Sequence, residues 1–237
     1  MEQSLALLGF GEGGWGAQIA SGVGVTVSLA LATLPVGLLL GFLVALAKQS
    51  GEPSLRLAAN IYTTIFRGLP ELLTLFLVFY GAQIGIQQFL AAIGAEARIE
   101  INAFAAGMVA LGVVFSSYAS EVFLSAFRAI PRGQYEGGYA IGLTSWQTMR
   151  LVVLPQLVRI ALPGLANLWL TLLKDTALVS VIGLADILRQ AGVAARVTRE
   201  ALLFFGTACL IYLVLAVLSS IVIGWIEQWA SRAEVRR

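Results

Sequence analysis

The sequence predicts an all-α integral membrane protein with five transmembrane helices. Three observations carry that prediction. Apolar residues fill 59% of the 237 positions and charged residues only 12%, which is too oily for a soluble domain of ordinary composition. The apolar stretches recur at close to the roughly 20 residues that cross a bilayer. Lys and Arg gather in alternate loops, the pattern that orients helices in a membrane. Residues 1–237 read as one transmembrane domain.

Taken in order, residues 1–17 are glycine-rich and acidic, with Trp15 where an interfacial aromatic would sit. Gly9, Gly11 and Gly14 match a dinucleotide fingerprint by letters only, since no strand precedes them, and the segment reads as a flexible end. No basic stretch precedes an apolar one in the first 20 residues, so no cleavable signal peptide is expected. The first span covers about 19–47, and Gly37 and Gly41 on it form a small-residue face that a second helix can approach. Lys48 and Arg56 lie in a short polar loop. Residues 53–66 are amphipathic and read as lying along the membrane surface.

Arg67-Gly68-Leu69-Pro70 then breaks the chain. Pro70 suits the first position of a helix, and Glu71 falls in its first turn, where the dipole favours a carboxylate. This second span covers about 70–85, followed by a loop with Glu96, Arg98 and Glu100. The third span, about 103–127, carries Ser116, Ser117, Tyr118, Ser120 and Glu121. The fourth, about 161–184, carries Lys174 and Asp175. Residues 185–200 are polar, and the fifth span covers about 202–225.

The polar interval 128–160 is the most informative loop. A helix through Tyr135–Ile141 would stop at Gly142, because glycine tolerates the left-handed conformation of a helix end. Thr144 and Gln147 form a capping box that starts a second helix leading to Pro155. The residues therefore specify two short helices with a sharp turn between them. Nine cations (Lys48, Arg56, Arg128, Arg132, Arg150, Arg159, Arg232, Arg236 and Arg237) fall on the side of this loop, against four (Arg98, Arg189, Arg196 and Arg199) on the other. That asymmetry places the loop and the C-terminus in the cytoplasm and the N-terminus outside.

The spacing of Glu136, Gly142, Leu154 and Pro155 resembles the EAA loop of the membrane subunits of bacterial ABC importers. The family pattern is Glu-Ala-Ala, three residues, Gly, nine residues, Ile-x-Leu-Pro. Gly137 and Gly138 replace the two alanines and Val152 the isoleucine; each glycine costs about 1 kcal/mol of helix stability relative to alanine. Three further blocks stand in the family's order: Phe66-Arg67-Gly68-Leu69-Pro70-Glu71, Ile130-Pro131-Arg132-Gly133-Gln134, and Ala161-Leu162-Pro163-Gly164 with Leu173-Lys174-Asp175-Thr176 downstream. The chain is most similar to the histidine/lysine/arginine/ornithine and opine transport permeases of the polar amino-acid branch. One departure is Leu124, where relatives commonly have arginine three residues after the glutamate matching Glu121.

The resemblance implies a type I importer permease whose loop is the coupling helix, with Glu136, Gly137, Gly138, Gly142, Leu154 and Pro155 docking on a separate ATPase. It implies a dimer of ATP-binding cassette ATPases that bind ATP and Mg. It also implies a second permease subunit, copy or paralogue, an extracytoplasmic solute-binding protein and an amino-acid substrate. The chain itself is then not an enzyme and holds no cofactor. No Gly-x-x-x-x-Gly-Lys-Ser/Thr loop occurs in it. The absence of histidine excludes His-based triads and His metal sites, Cys209 can form no intramolecular disulfide, and no metal site is predicted. The oily composition and repeated spans make a lipid bilayer the surrounding partner, and a net charge of +2 implies no nucleic-acid partner.

An ionisable group at bilayer depth is a functional-site hypothesis by default. Glu121, with Ser117 and Tyr118 beside it, and Lys174 and Asp175 are therefore candidates for the substrate path. The competing reading is that Glu121, Lys174 and Asp175 form structural pairs. Arg67 reads as an interfacial or structural group. A self-contained channel or secondary transporter would explain the spans and charges, but not the capped cytoplasmic loop.

Overall fold

The structure, a computed structural model, describes residues 6–11, 13–93 and 100–232, with side chains through 230; Glu12, Glu96, Arg98, Arg236 and Arg237 lie outside the described residues. Its elements are α1 (Gly16–Gln49), α2 (Pro53–Gly68), α3 (Glu71–Ala92), α4 (Ala103–Ala129), α5 (Arg132–Ala140) and α6 (Ser145–Thr148). A π turn (Met149–Val153) leads into α7 (Leu154–Asp175). A 3₁₀ segment (Thr176–Ile182), α8 (Ile187–Thr198) and α9 (Ala201–Arg232) complete the fold. Among the described residues five helical stretches are long and apolar enough to cross a membrane: α1, α3, α4, the run Ser145–Ile182 and α9.

The core is built on α4. Asn102 caps it by accepting hydrogen bonds from the Phe104 and Ala105 N–H groups, and most of its length from Ala106 to Phe127 is buried. α1 runs parallel to α4 in close contact, and the Gly37/Gly41 face is what permits it. A Cβ at Gly37 would come within 2.5 Å of the Phe115 ring, and one at Gly41 within 2.8 Å of the Ala119 Cβ. Phe42 stacks edge-on against Phe123 at 5.5 Å between ring centroids. On the other flank α7 runs antiparallel, with Leu157, Ala161 and Leu172 buried in the same cluster.

Several expectations from the sequence are corrected. Leu7, Gly9, Trp15 and Gly16 are joined in a hydrogen-bonded turn rather than a free end: Trp15 N–H donates to the Leu7 carbonyl and Gly16 N–H to that of Gly9. Trp15 packs edge-on against Phe204 at 6.5 Å, so its glycines serve a turn and its indole a buried contact. α3 extends to Ala92, well beyond Gly85, because a helix interior tolerates a glycine at a cost of only about 1 kcal/mol. The polar stretch 185–200 holds a helix, α8. Its Ile187, Ala191, Ala194 and Ala195 make a buried i, i+4, i+7, i+8 stripe against α1 and α9.

Asp186 caps α8 through its Oδ1, which accepts from the Arg189 N–H, and is itself fully buried. Burial pushes its carboxyl up to about 6, partly offset by the backbone N–H groups it caps.

The fourth span differs most. It does not begin near residue 161 but continues directly from the loop through Pro155 and Pro163. The π turn ends just before Pro155, with the Leu154 N–H bonding back to the Met149 carbonyl. A widened turn lets the chain pass a residue that lacks its own N–H and crowds the carbonyl four positions back. The second loop helix is therefore the beginning of a transmembrane span and not a short separate element.

α2 begins with Pro53 at its first turn and lies across α4. Tyr62 Oη is 3.1 Å from the Val113 carbonyl, to which it donates, and 2.6 Å from Ser116 Oγ. Its other side leaves Leu57, Ile61 and Ile65, a stripe at helical spacing, exposed.

Candidate functional site

Two groups of residues stand out: the hairpin α5–α6, and the charged side chains between α1, α2, α3, α4 and α7. In the hairpin, Gly142 has φ +85°. Its N–H donates to the Tyr139 carbonyl and the Leu143 N–H to that of Gly138, the pair of bonds that closes a helix with a glycine. Thr144 and Gln147 then complete the capping box reciprocally: Thr144 Oγ1 accepts from the Gln147 N–H, and Gln147 Oε1 accepts from the Thr144 N–H. Gln156 Nε2 donates to Gln134 Oε1 at 3.0 Å and ties α7 back to α5.

The hairpin presents Tyr139, Ile141 and Trp146 to the outside, at 49%, 77% and 71% exposure. Glu136 and Pro155 are also exposed, while Leu154 is half-buried against the core. Exposed aromatics of this size mark an interaction surface. Sequence reading assigned the surface to Glu136 and the glycines. It missed Ile141 and Trp146, which flank the turn and needed only the helix register to be placed outward.

The two departures from the family's alanines behave differently. Gly137 has nothing within 4 Å of a Cβ position, whereas a Cβ at Gly138 would lie 2.6 Å from Thr148 Cγ2 and 2.8 Å from its Oγ1. Gly138→Ala is therefore expected to destabilise the hairpin by about 1–3 kcal/mol, as overpacking does, despite its better helix propensity. Gly137→Ala should stabilise it by about 1 kcal/mol. Thermal unfolding of the two variants checks the difference, and Thr148→Ala should rescue only the first.

Among the charges, Lys48 Nζ lies 2.5 Å from Glu121 Oε1, and Arg67 Nη1 lies 3.2 Å from the same oxygen. The Arg67 guanidinium also covers the Tyr118 ring at 5.5 Å. One carboxylate thus joins the ends of α1 and α2 to α4. This corrects the reading of Glu121 as an unneutralised counter-charge: two cations from other helices supply what Leu124 does not. It also corrects the alternative pairing, because Lys174 is exposed and is not its partner. Ser117 is buried and its Oγ donates to the Val114 carbonyl at 2.7 Å. Arg67 is confirmed as structural.

Asp175 ends α7 beside Leu111, Val114, Phe115 and Tyr118, which lie halfway along α4. Glu71, at the start of α3, is close enough to act electrostatically on it, as is Lys174. Asp175 thus lies inside the bundle next to Tyr118, with charges of both signs, Glu71 and Lys174, acting on it. The sequence singled out Asp175 but read Glu71 only as a favourable first-turn residue. Nothing in the spacing indicates that the break at Arg67–Pro70 brings α3's first turn to the end of α7.

Comparison with known proteins agrees with this architecture. The family described as "Binding-protein-dependent transport system inner membrane component" matches residues 37–232. The nopaline transport system permease protein NocQ of Agrobacterium fabrum is 41% identical over 229 residues, covering 96% of this chain and 97% of that one. The histidine/lysine/arginine/ornithine transport system permease protein HisQ of Salmonella typhimurium is 37% identical over 215 residues, covering 91% and 94%. A crystal structure of an amino acid ABC transporter with histidines superposes with a TM-score of 0.76 at 32% identity, over 90% of this chain and 94% of that one. The MetNI methionine ABC transporter shares the fold, with a TM-score of 0.70 at 18% identity, over 90% and 95%. A half-buried bundle with a capped hairpin, matched along nearly its whole length by importer permeases, has one family assignment: this chain belongs to the binding-protein-dependent transport system inner membrane components, as a multi-pass permease subunit of an ABC importer.

Proposed function

We propose that this permease imports basic amino acids or opine-type derivatives carrying a guanidinium or ammonium group. The observation that carries the reading is the half-buried carboxylate of Asp175 at the end of α7, set against Leu111, Phe115 and Tyr118 and near enough to Glu71 to feel its charge, since an acidic position inside the bundle favours a cationic guest. Relatives named for nopaline, octopine, and histidine/lysine/arginine/ornithine transport support it. Tyr118 would flank the guest, and Lys174 is the candidate for the guest's own carboxylate.

ATP and Mg would be bound by a separate ATPase dimer that docks on Tyr139, Ile141 and Trp146 and pushes through Gly142. A solute-binding protein would deliver the guest from outside. A second permease, copy or paralogue, would cover the exposed apolar face of α3 that includes Leu73, Leu77 and Tyr80.

Reconstitution with candidate ATPase and binding proteins in liposomes tests the substrate class. Arginine, lysine, ornithine and opines should stimulate ATP hydrolysis and be taken up, and glutamate should not. Asp175→Asn should cut uptake of the cationic solutes about tenfold or more, the worth of one charged hydrogen bond, with basal ATP hydrolysis retained. Stimulation by neutral or acidic amino acids alone would overturn the reading.

We further infer from the nine-to-four distribution of cations that the hairpin and C-terminus are cytoplasmic and the N-terminus outside. With Cys209 replaced, a cysteine at Arg196 should react with an impermeant thiol reagent in intact cells and one at Gln147 should not. Labelling at Gln147 would reverse both the orientation and the docking assignment.

A further inference from the structure

An apolar groove of about 500 Å³ runs between α1, α7 and α9, walled by residues such as Leu34, Leu38, Leu165, Trp169 and Val222. At the end nearer the hairpin it adjoins a half-polar cavity of about 510 Å³ whose lining includes Gln156, Arg159, Gly224 and Glu227. Leu162 lines both, so the two adjoin. The polar end carries one cation from α7 and one anion from α9. Neither is in an ion pair among the described residues, where the ion pairs are those of Glu121. Gln156, by contrast, is engaged, its Nε2 donating to Gln134 Oε1 and the Val152 carbonyl.

We propose that this is a binding site for a phospholipid with a primary ammonium head group. One acyl chain lies in the groove, the phosphate meets Arg159, and the ammonium meets Glu227. Three features select this occupant. An apolar channel ending in paired opposite charges matches a molecule that is hydrocarbon at one end and zwitterionic at the other. A helix of a second permease seated there would strip water from both charges, a cost that only a complementary pair on that helix would offset. A purely anionic lipid would set its head group against Glu227, and a choline head group has no N–H to donate to it.

The test uses the permease assembled with its ATPase in nanodiscs holding equal parts of phosphatidylethanolamine, phosphatidylcholine and phosphatidylglycerol with identical chains. Lipids retained on release are counted by native mass spectrometry. Phosphatidylethanolamine should be retained about tenfold over phosphatidylcholine, the factor of one charge-assisted hydrogen bond. Glu227→Gln should erase that preference, Arg159→Ala should lower retention of both, and Ala166→Trp, which fills the groove, should abolish retention in a complex that still assembles. Equal retention of the two zwitterionic lipids, or a preference for phosphatidylglycerol, overturns the head-group assignment. A complex that retains no lipid, and in which a cysteine at Ile226 crosslinks to the second permease, overturns the site.

Discussion

Glu121→Gln is expected to destabilise the permease by about 1–3 kcal/mol, the cost of leaving a buried partner unsatisfied, which is less than for a fully buried pair because Glu121 is itself 33% exposed. Lys48 is the reason. Its side chain is only 5% exposed, and its ammonium has Glu121 as its carboxylate partner. Glutamine keeps the shape and one acceptor but leaves the largely buried cation without its countercharge. Arg67, at 44% exposure, can turn outward and loses less. Lys48→Met should be costly by the same logic, and the double variant Lys48→Met/Glu121→Leu should recover most of the loss, since an apolar replacement of both partners is often neutral. Thermal unfolding of the four proteins in detergent measures the coupling. Unchanged stability in Glu121→Gln together with a fall in uptake of cationic solutes would return this carboxylate to the substrate path.

The second large effect is expected at Gly142. With φ +85° and nothing near its Cβ position, the constraint there is conformational and not spatial. Valine at positive φ is an outlier by sterics alone, with a strain of about 1–3 kcal/mol. The strain is relieved only by undoing the two bonds that close α5 and re-aiming α6. Gly142→Val should leave the spans inserted but lower substrate-stimulated ATP hydrolysis at least about tenfold, if docking needs the hairpin's shape as positioned sites commonly do. Gly142→Asn is the control, since asparagine visits the left-handed region with little penalty, and it should keep most of the activity. Full stimulation in the valine variant would show that the turn plays no part in transmission.

Local chemistry made the hairpin legible in advance. A glycine at a helix end and a Thr-x-x-Gln box act within four residues, so Gly142, Thr144 and Gln147 could be placed without knowing what surrounds them. The five spans were legible for a related reason, because hydrophobic length is a property of the segment itself. The partners of the charges were not. Lys48 and Glu121 are 73 residues apart, and the lysine looked like an ordinary loop cation of the positive-inside pattern. Glu71 acts on Asp175 because α3 packs against the segment that follows α7, which no local pattern reveals. α8 was missed because its buried face is mostly alanine, which barely registers in a hydropathy reading although its spacing is helical. Pro155 misled in the other direction: it signals a helix end unless a π turn precedes it.

Continuity through that π turn has a mechanical consequence. From Ser145 to Asp175 the chain is continuously helical, and it passes close to α4 at Gly164, where a Cβ would come within 2.7 Å of Val122. At about 1.5 Å per residue that crossing lies roughly 28 Å from the hairpin end and roughly 16 Å from Asp175. A rod pressed at one end and held at such a point behaves as a lever with Gly164 as its fulcrum. Displacement of the hairpin would reach Asp175 reversed in direction and reduced to a little over half. The force delivered there would be raised in the same proportion, which would suit the proposed release of a cation from that carboxylate.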